Sequence, residues 1–592
     1  MRSLRLLIVL LAAGALLCVG QEEPPRPRAG KVEFLKTAQI KPGMKGYAWT
    51  VFQGTEPEAI PVEIIGVWKN ALGPRQDVIL AKLGGKAEKT NVAGGMSGSP
   101  VYIDGKLAGA ISLRVSVFSP DAVCGITPIE SMLEVSDIDA SVPQDGLLPK
   151  AAAQASVMTP IEAPLVFSGF SAGAMREIGP LFQQLGVPVM QGGAGGALSN
   201  SRPAPGWEKA LQPGDMVAAV LVSGDMTITA QGTVTYNDGR RVLAFGHSLY
   251  NLGPIEMPMS KSEVLMTLAS SYQPNKFANA TDIVGAMKQD RQSGVSGVLG
   301  EQAEMIPVSL TIRSLGEANK ILRERTYRYN VFAHRSWTPT LMMTTLVNTL
   351  SSVNDAGVNS TFRLSGKVEL DGQRNLSFAT MQAPAETQMP APTQLALWVG
   401  DRFNRLFSNA VTPPHLTGVE VSVDLLPERR VATIESAWAS LSEADAGQEV
   451  PVRVFLRPYR GARLEKQFTV KIPAGLPAGE HRILLSDADT LNRMQSAAGR
   501  ANRFIDLGQT ISLINQERPN NQLYVSLVSS GTTVFSDDKT LPSLPASMLN
   551  VLESGRTSGR PFVTARETAA EQTAIPFDYI VSGSYSLTIR VK

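Results

Sequence analysis

The stretch VAGGMSGSPVYIDGKLAGAI, residues 92–111, decides how the rest of the chain is read. Gly94 and Gly95 admit a tight backbone turn, Ser97 stands at its apex, and Gly98 and Pro100 lead out into an extended run. Residues 100–103 read as a strand, Asp104-Gly105 is a favoured two-residue hairpin turn, and residues 107–113 read as the returning strand. The serine therefore heads a β-hairpin, where it is expected to be fixed and exposed. In a Gly-x-Ser-Gly turn the N–H groups of Gly95 and Ser97 can point to the side of the hydroxyl, forming an oxyanion hole for acyl transfer. A hairpin turn without chemistry is the alternative that the six residues 95–100 leave open.

GMSGSP (95–100) resembles the nucleophile region of chymotrypsin-like serine peptidases, with Ser97 at the nucleophile position of their Gly-x-Ser-Gly-x-Pro motif. Followed by GKLAGAI (105–111), it is similar to the SpoIVB-type serine peptidase family. The same resemblance is carried by IKPGMKGYAWTVFQGTEPEAIPVEIIGV (40–67) with DVILAKL (77–83), and by GTVTYNDGRRVLAFGH (232–247). It covers residues 32–300. It implies chymotrypsin-like β units, Ser97 as nucleophile, His247 as general base, an oxyanion hole from Gly95 and Ser97, and a protein or peptide substrate; the His, Cys and carboxylate spacings show no metal site, and no cofactor is expected.

A serine nucleophile needs a base, and the chain offers four histidines: His247, His334, His415 and His481. His247 follows a strand end and a glycine that permits close approach. His334 in YNVFAHRSW, His415 after Pro413-Pro414 and His481 in PAGEH read as structural. The family pattern has histidine before serine, whereas here His247 comes 150 positions after Ser97. Exchanged order is compatible with a site assembled from two β units, since the same geometry occurs with several chain orders. The family's acid precedes its serine, and that neighbourhood here holds Lys82 and Leu83. Asp77 is the nearest acid upstream on a strand edge, and Asp225 is the second choice. Cys124 reads as a small buried apolar residue.

Arg2 and Arg5 precede an uncharged apolar run over residues 6–19, too short to span a bilayer, so residues 1–20 read as a secretory signal and the chain as exported. Without them Cys124 is the one cysteine left, which rules out an intrachain disulfide. With 55 basic and 53 acidic residues there is no footprint of a nucleic-acid groove, and no later stretch reads as a membrane span. Abundant Gly and Pro turns between Val, Ile and Thr runs indicate a mostly β chain with α insertions.

The expected organisation is a flexible leader (21–31), a Ser-bearing β domain (32–139), a linker (140–164) and a His-bearing α+β unit (165–300). Strand-like runs over 216–222, 227–236 and 241–245 build the His-bearing unit, and residues 256–272, EMPMSKSEVLMTLASSY, read as a Met-rich amphipathic helix followed by a polar loop that contains Asp290. An α+β domain (301–417), an immunoglobulin-like β-sandwich (418–486) and a mixed domain (487–592) follow. Three functions stay open: an exported serine endopeptidase acting in or outside the cell envelope, a non-catalytic envelope binding or scaffolding protein that keeps a peptidase-like fold, and a peptidase that cleaves mainly itself. In the first the C-terminal β domains are expected to bind substrate or an envelope partner, and in the third they are the released or anchored product.

Overall fold

The structure, a computed structural model, describes residues 24–115, 119–135, 140–142, 158–193, 198, 202–270, 272–353, 359–384, 389–409, 412–501, 506–536, 539–541, 545–554 and 563–592. The expected signal lies outside these residues, as does most of the expected linker. The chain is mostly β with α insertions, and it divides into two compact units. No described helix is long and apolar enough to cross a membrane.

The first unit holds the described residues among 24–169, 181–223 and 227–304. Its first sheet comprises β1 (Lys45–Thr50), β2 (Glu58–Gly73), β3 (Gln76–Leu83), β4 (Pro100–Ile103), β5 (Lys106–Arg114), β6 (Val123–Pro128) and the short β7 (Thr159–Pro160). Six strands run in the order β1-β2-β3-β6-β5-β4, and β4 pairs back onto β1, closing a barrel with β7 added outside on β5. Alternation along β2 and β3 sends Ile60, Val62, Ile64, Ile79 and Ala81 inward to one apolar core with Val101, Ile111 and Ile126. The β4–β5 connection is the two-residue turn that its sequence demands: Asp104 and Gly105 both have positive φ, 49° and 75°.

The second sheet of this unit comprises β8 (Leu165–Ser168), β9 (Val189–Gly192), β10 (Met216–Gly224), β11 (Thr227–Asn237), β12 (Arg241–Ala244), β13 (Gly253–Leu268), β14 (Asn275–Arg291) and β15 (Gly294–Leu299). The order β10-β13-β14-β15-β12-β11 closes through β10–β11 pairing into a second six-stranded barrel, with β8 and β9 outside on β11. The segment expected to form a Met-rich helix is β13, paired antiparallel to β14 from Gly253↔Asp290 to Leu268↔Asn275. Its period of two is masked because the small polar Ser260 and Ser262 take buried positions, leaving the Met, Val and Leu residues at helix-like spacing. The leader is also not free: Gly30 N donates to Asn237 O at 2.8 Å, and Arg26 pairs with the half-buried Asp215 at 2.7 Å.

The second unit holds residues 170–180 and 224–226 and the described residues among 305–592. Five consecutively paired strands, Met305–Leu315, Ile321–Phe332, Thr361–Leu370, Leu376–Gln382 and Leu416–Leu426, and the helices Trp337–Ser351 and Ala391–Phe407 occupy its first part. Its last part packs a four-stranded sheet on a second sheet around Val450, Val452, Val454, Ile483, Val525 and Ile589. The sandwich extends beyond the expected 418–486, because Gln522–Ser536, Ile580–Ser582 and Ser584–Val591 supply strands to it. Leu416–Leu426 instead runs parallel to Met305–Leu315 in the first part.

Gly98 shows how closely the two barrels meet. A Cβ there would lie 2.0 Å from Thr233 O and 2.5 Å from Phe245 N, at a φ of +97°. Gly98→Ala is expected to destabilise the first unit by about 3 kcal/mol or more. Gly105→Ala, with positive φ but open space, is expected to cost about 1 kcal/mol. Urea unfolding of both variants measures the difference.

Candidate functional site

The serine loop consists of two successive β-turns that share Met96. Met96 N donates to Ala93 O and Ser99 N donates to Met96 O, both at 3.0 Å. Gly95 and Gly98 occupy the third position of each turn with φ of +84° and +97°, the conformation a glycine supplies without strain. The backbone donors of residues 93–99 can then be accounted for one by one. Ala93 N meets Met96 Sδ, Gly94 N donates to Pro274 O and Gly98 N to Ile111 O. Among the described residues only the N–H groups of Gly95 and Ser97 in this loop have no acceptor. These are the two amides that the sequence reading names for an oxyanion hole.

The second barrel grips this loop by its carbonyls. Thr233 N donates to Ser97 O and Thr233 Oγ1 to Gly95 O, each at 2.8 Å, while Thr235 Oγ1 donates to Gly98 O at 2.7 Å. Both threonines lie on β11 with their side chains on one face, as residues two apart must. Beneath Gly95 runs the stem of Lys276, whose Nζ reaches Thr50 Oγ1 at 2.6 Å and Met216 Sδ at 3.5 Å. Burial lowers the ammonium from its ordinary value to about 7.

His247 follows β12 after two left-handed residues, Phe245 (φ 68°) and Gly246 (φ 70°). A buried phenylalanine in that conformation is a local strain of about 1 to 3 kcal/mol, which the surrounding packing must hold. The first barrel supplies part of that packing: Thr127 Oγ1 donates to Gly246 O at 2.7 Å, and a Cβ on Gly246 would lie 3.0 Å from Ser112 Cβ. The ring's Nδ1 lies 2.7 Å from Ser248 O, which only accepts, so the neutral imidazole carries its proton on Nδ1 and its lone pair on Nε2. Burial lowers its pKa, opposed by the backbone of Ser248 and Ile161.

A buried carboxylate holds the next residues. Asp290 on β14 accepts from Leu249 N and Tyr250 N at 2.8 Å and from Leu252 N at 3.3 Å. It clamps the loop behind His247 and does not bond the imidazole.

The structure thus puts Gly95, Ser97 and His247 in one unit, with Gly98 against the backbone that leads into His247. Ser97 is fully buried, not exposed as its turn suggests. Ser97 Oγ and His247 Nε2 are both buried and without hydrogen-bond partners, so the two are not bonded to each other. Neither expected acid bonds the imidazole. Asp77 accepts Asn70 N within the β2–β3 hairpin, and Asp225, in the second unit, accepts Arg328 N. The imidazole Nδ1 meets the Ser248 carbonyl and no described carboxylate. Cys124 is fully buried and its thiol is pushed up to about 12, far from a nucleophile's range.

Thr233, Thr235 and Asp290 escape sequence reading. The Thr-x-Thr alternation in GTVTYNDG was a legible sign of two hydroxyls on one face, while Asp290 fell in a stretch read as loop. In comparisons with known proteins, no family model, curated protein or solved structure matches the chain.

Burial raises the Asp290 carboxyl from 3.8 to about 6, against the pull of the Tyr250, Leu249, Leu252 and Asn251 N–H groups. A carboxyl raised on folding stabilises most below its unfolded value, and the contribution is lost as pH rises through the folded one. Stability of the first unit is therefore expected to fall between pH 4 and about 6, by about 3 kcal/mol from this group. Asp290→Asn should flatten that fall, read from urea midpoints across the range.

Proposed function

We propose that the first unit is a serine peptidase site of the SpoIVB type, working on protein or peptide substrates in the cell envelope or outside it. One observation carries this: in the serine loop, the N–H groups left without acceptors are those of Gly95 and Ser97, beside a serine hydroxyl and a histidine Nε2 that are also unpartnered. Buried donors and acceptors are ordinarily paired, so four unpaired groups in one neighbourhood fit a place reserved for a reacting carbonyl. Two six-stranded barrels, one bearing the serine and the other the histidine, fit the chymotrypsin-like architecture that the motifs imply.

The chemistry follows from the atoms. His247 Nε2 takes the proton of Ser97 Oγ as the oxygen attacks the peptide carbonyl carbon, and the oxyanion is held by Gly95 N and Ser97 N. The imidazolium then gives its proton to the leaving amine as the C–N bond breaks. Water, deprotonated by the same Nε2, hydrolyses the acyl-enzyme and returns the proton to Ser97. The Ser248 carbonyl keeps the ring in the tautomer that this requires. The basic, apolar N-terminal run supports export, and the C-terminal sandwich is the surface for substrate or an envelope partner.

A non-catalytic binding or scaffolding role is the second reading, favoured by the complete burial of Ser97 and its lack of a bond to His247. A fluorophosphonate probe separates the two. In its reaction the Ser97 Oγ–P bond forms, fluoride leaves and the hydroxyl proton passes to His247. Labelling of the wild type that is lost in Ser97→Ala and falls at least about a hundredfold in His247→Ala is expected. Asp77→Asn and Asp225→Asn should label within about twofold of the wild type, since neither carboxylate touches the ring. Absence of labelling in folded wild type, with or without a strap-loosening change described below, would favour the scaffold.

The acid limb follows the same logic. Because burial lowers the His247 pKa, the labelling rate is expected to stay high as pH falls past the ordinary 6.5 and to halve only below it. A half-point above 6.5, from rates measured at several pH values, would show that another group is the base.

A further inference from the structure

We infer that residues 158–162 form a built-in strap that lies where an extended substrate peptide binds, so that the described state is the self-blocked one. The inference rests on the peptidase reading above and explains why its nucleophile is fully buried.

The segment is the entry into the second barrel. Its strand β7 lies antiparallel on β5, with Leu113↔Pro160 and Arg114↔Thr159 in register. Ile161 N continues the ladder by donating to Ser112 O at 2.8 Å. Ser112 is the residue on which the site converges. Its neighbour Ile111 accepts Gly98 N at 2.8 Å, and its own Cβ abuts Gly246, the residue before His247. Ile161 is fully buried in one apolar cluster with Val92, Ala93 and Met96 of the serine loop, and its backbone also faces the His247 ring. Beyond it, the Glu162 carbonyl lies over Gly94, 3.1 Å from where a Cβ would stand. The chain thus passes Ser97 and His247 in extended form while paired to a strand edge, the manner in which a peptide is held by strand addition.

The hold is short. β7 has two residues, both exposed, and Pro160 has no N–H to give to the ladder. An extended peptide offering a full set of donors to β5 would compete for the same edge. The ligand class is therefore an unfolded or extended polypeptide with an apolar residue in the place of Ile161.

The test uses the double variant Leu113→Cys/Pro160→Cys in the full chain. Directly opposed antiparallel residues have Cα atoms about 4.5 to 5.5 Å apart, within the span a disulfide bridges. Fully buried Cys124 stays out of the exchange, and Cys18 is replaced by serine. Fluorophosphonate labelling of Ser97 scales with the fraction of open molecules, so the oxidised protein is expected to label at least about tenfold more slowly than the same protein reduced. Ile161→Ala, checked for folding by its melting curve, is expected to label at least about threefold faster than wild type. Equal rates for the oxidised and reduced protein would overturn the strap while leaving the peptidase reading intact. No labelling of wild type, reduced double variant or folded Ile161→Ala would overturn the peptidase reading itself, and the strap with it.

Discussion

The grip of β11 on the serine loop is the interaction on which the site depends. Thr233 and Thr235 bind three loop carbonyls, those of Gly95, Ser97 and Gly98, while Thr127 of the other barrel binds the carbonyl of Gly246. Each barrel therefore fixes the loop that the other carries. These bonds take the carbonyls of Gly95, Ser97 and Gly98, while among the loop's amides those of Gly95 and Ser97 are left without an acceptor. Buried hydrogen bonds of this kind contribute about 1 kcal/mol each, but losing one partner costs more, since the remaining buried group is stranded.

This arrangement makes chain order secondary. The serine lies on the turn into β4, the histidine on the exit from β12, and the contacts among Gly98, Thr233 and Phe245 bring the two loops together whichever barrel comes first along the chain. The strain of Phe245 in the left-handed region is tolerable for the same reason. Its ring fills the space that Gly232 leaves, where a Cβ would lie 2.5 Å from it, and the backbone beyond is held by Asp290 through Leu249, Tyr250 and Leu252. A buried Lys276 with a threonine rather than a carboxylate as its partner adds a group near neutrality beneath Gly95.

Much of this was legible in residues whose preference is local. The Asp104-Gly105 turn, the strands of residues 216–237 and the helix at Trp337–Ser351 announce themselves by turn chemistry and periodicity, and GMSGSP announces the loop. What was not legible depends on partners distant in sequence. Ser260 and Ser262 are buried in a strand because a barrel wall covers them, which no local pattern reveals. Ile161 joins the apolar cluster of Val92, Ala93 and Met96 from well outside the serine loop, and the imidazole Nδ1 meets the main-chain carbonyl of Ser248, a partner with no sequence signature. The leader reads as flexible from its prolines, yet Arg26 finds Asp215 in the second barrel.

The most direct measurement is a crystal structure of the chain after reaction with a fluorophosphonate. The account predicts a covalent bond from Ser97 Oγ to phosphorus, a phosphonyl oxygen within hydrogen-bond reach of Gly95 N and Ser97 N, and His247 Nε2 turned to Ser97 with Nδ1 still on Ser248 O. An adduct on another residue, or one on Ser97 whose phosphonyl oxygen points away from both amides, would contradict it.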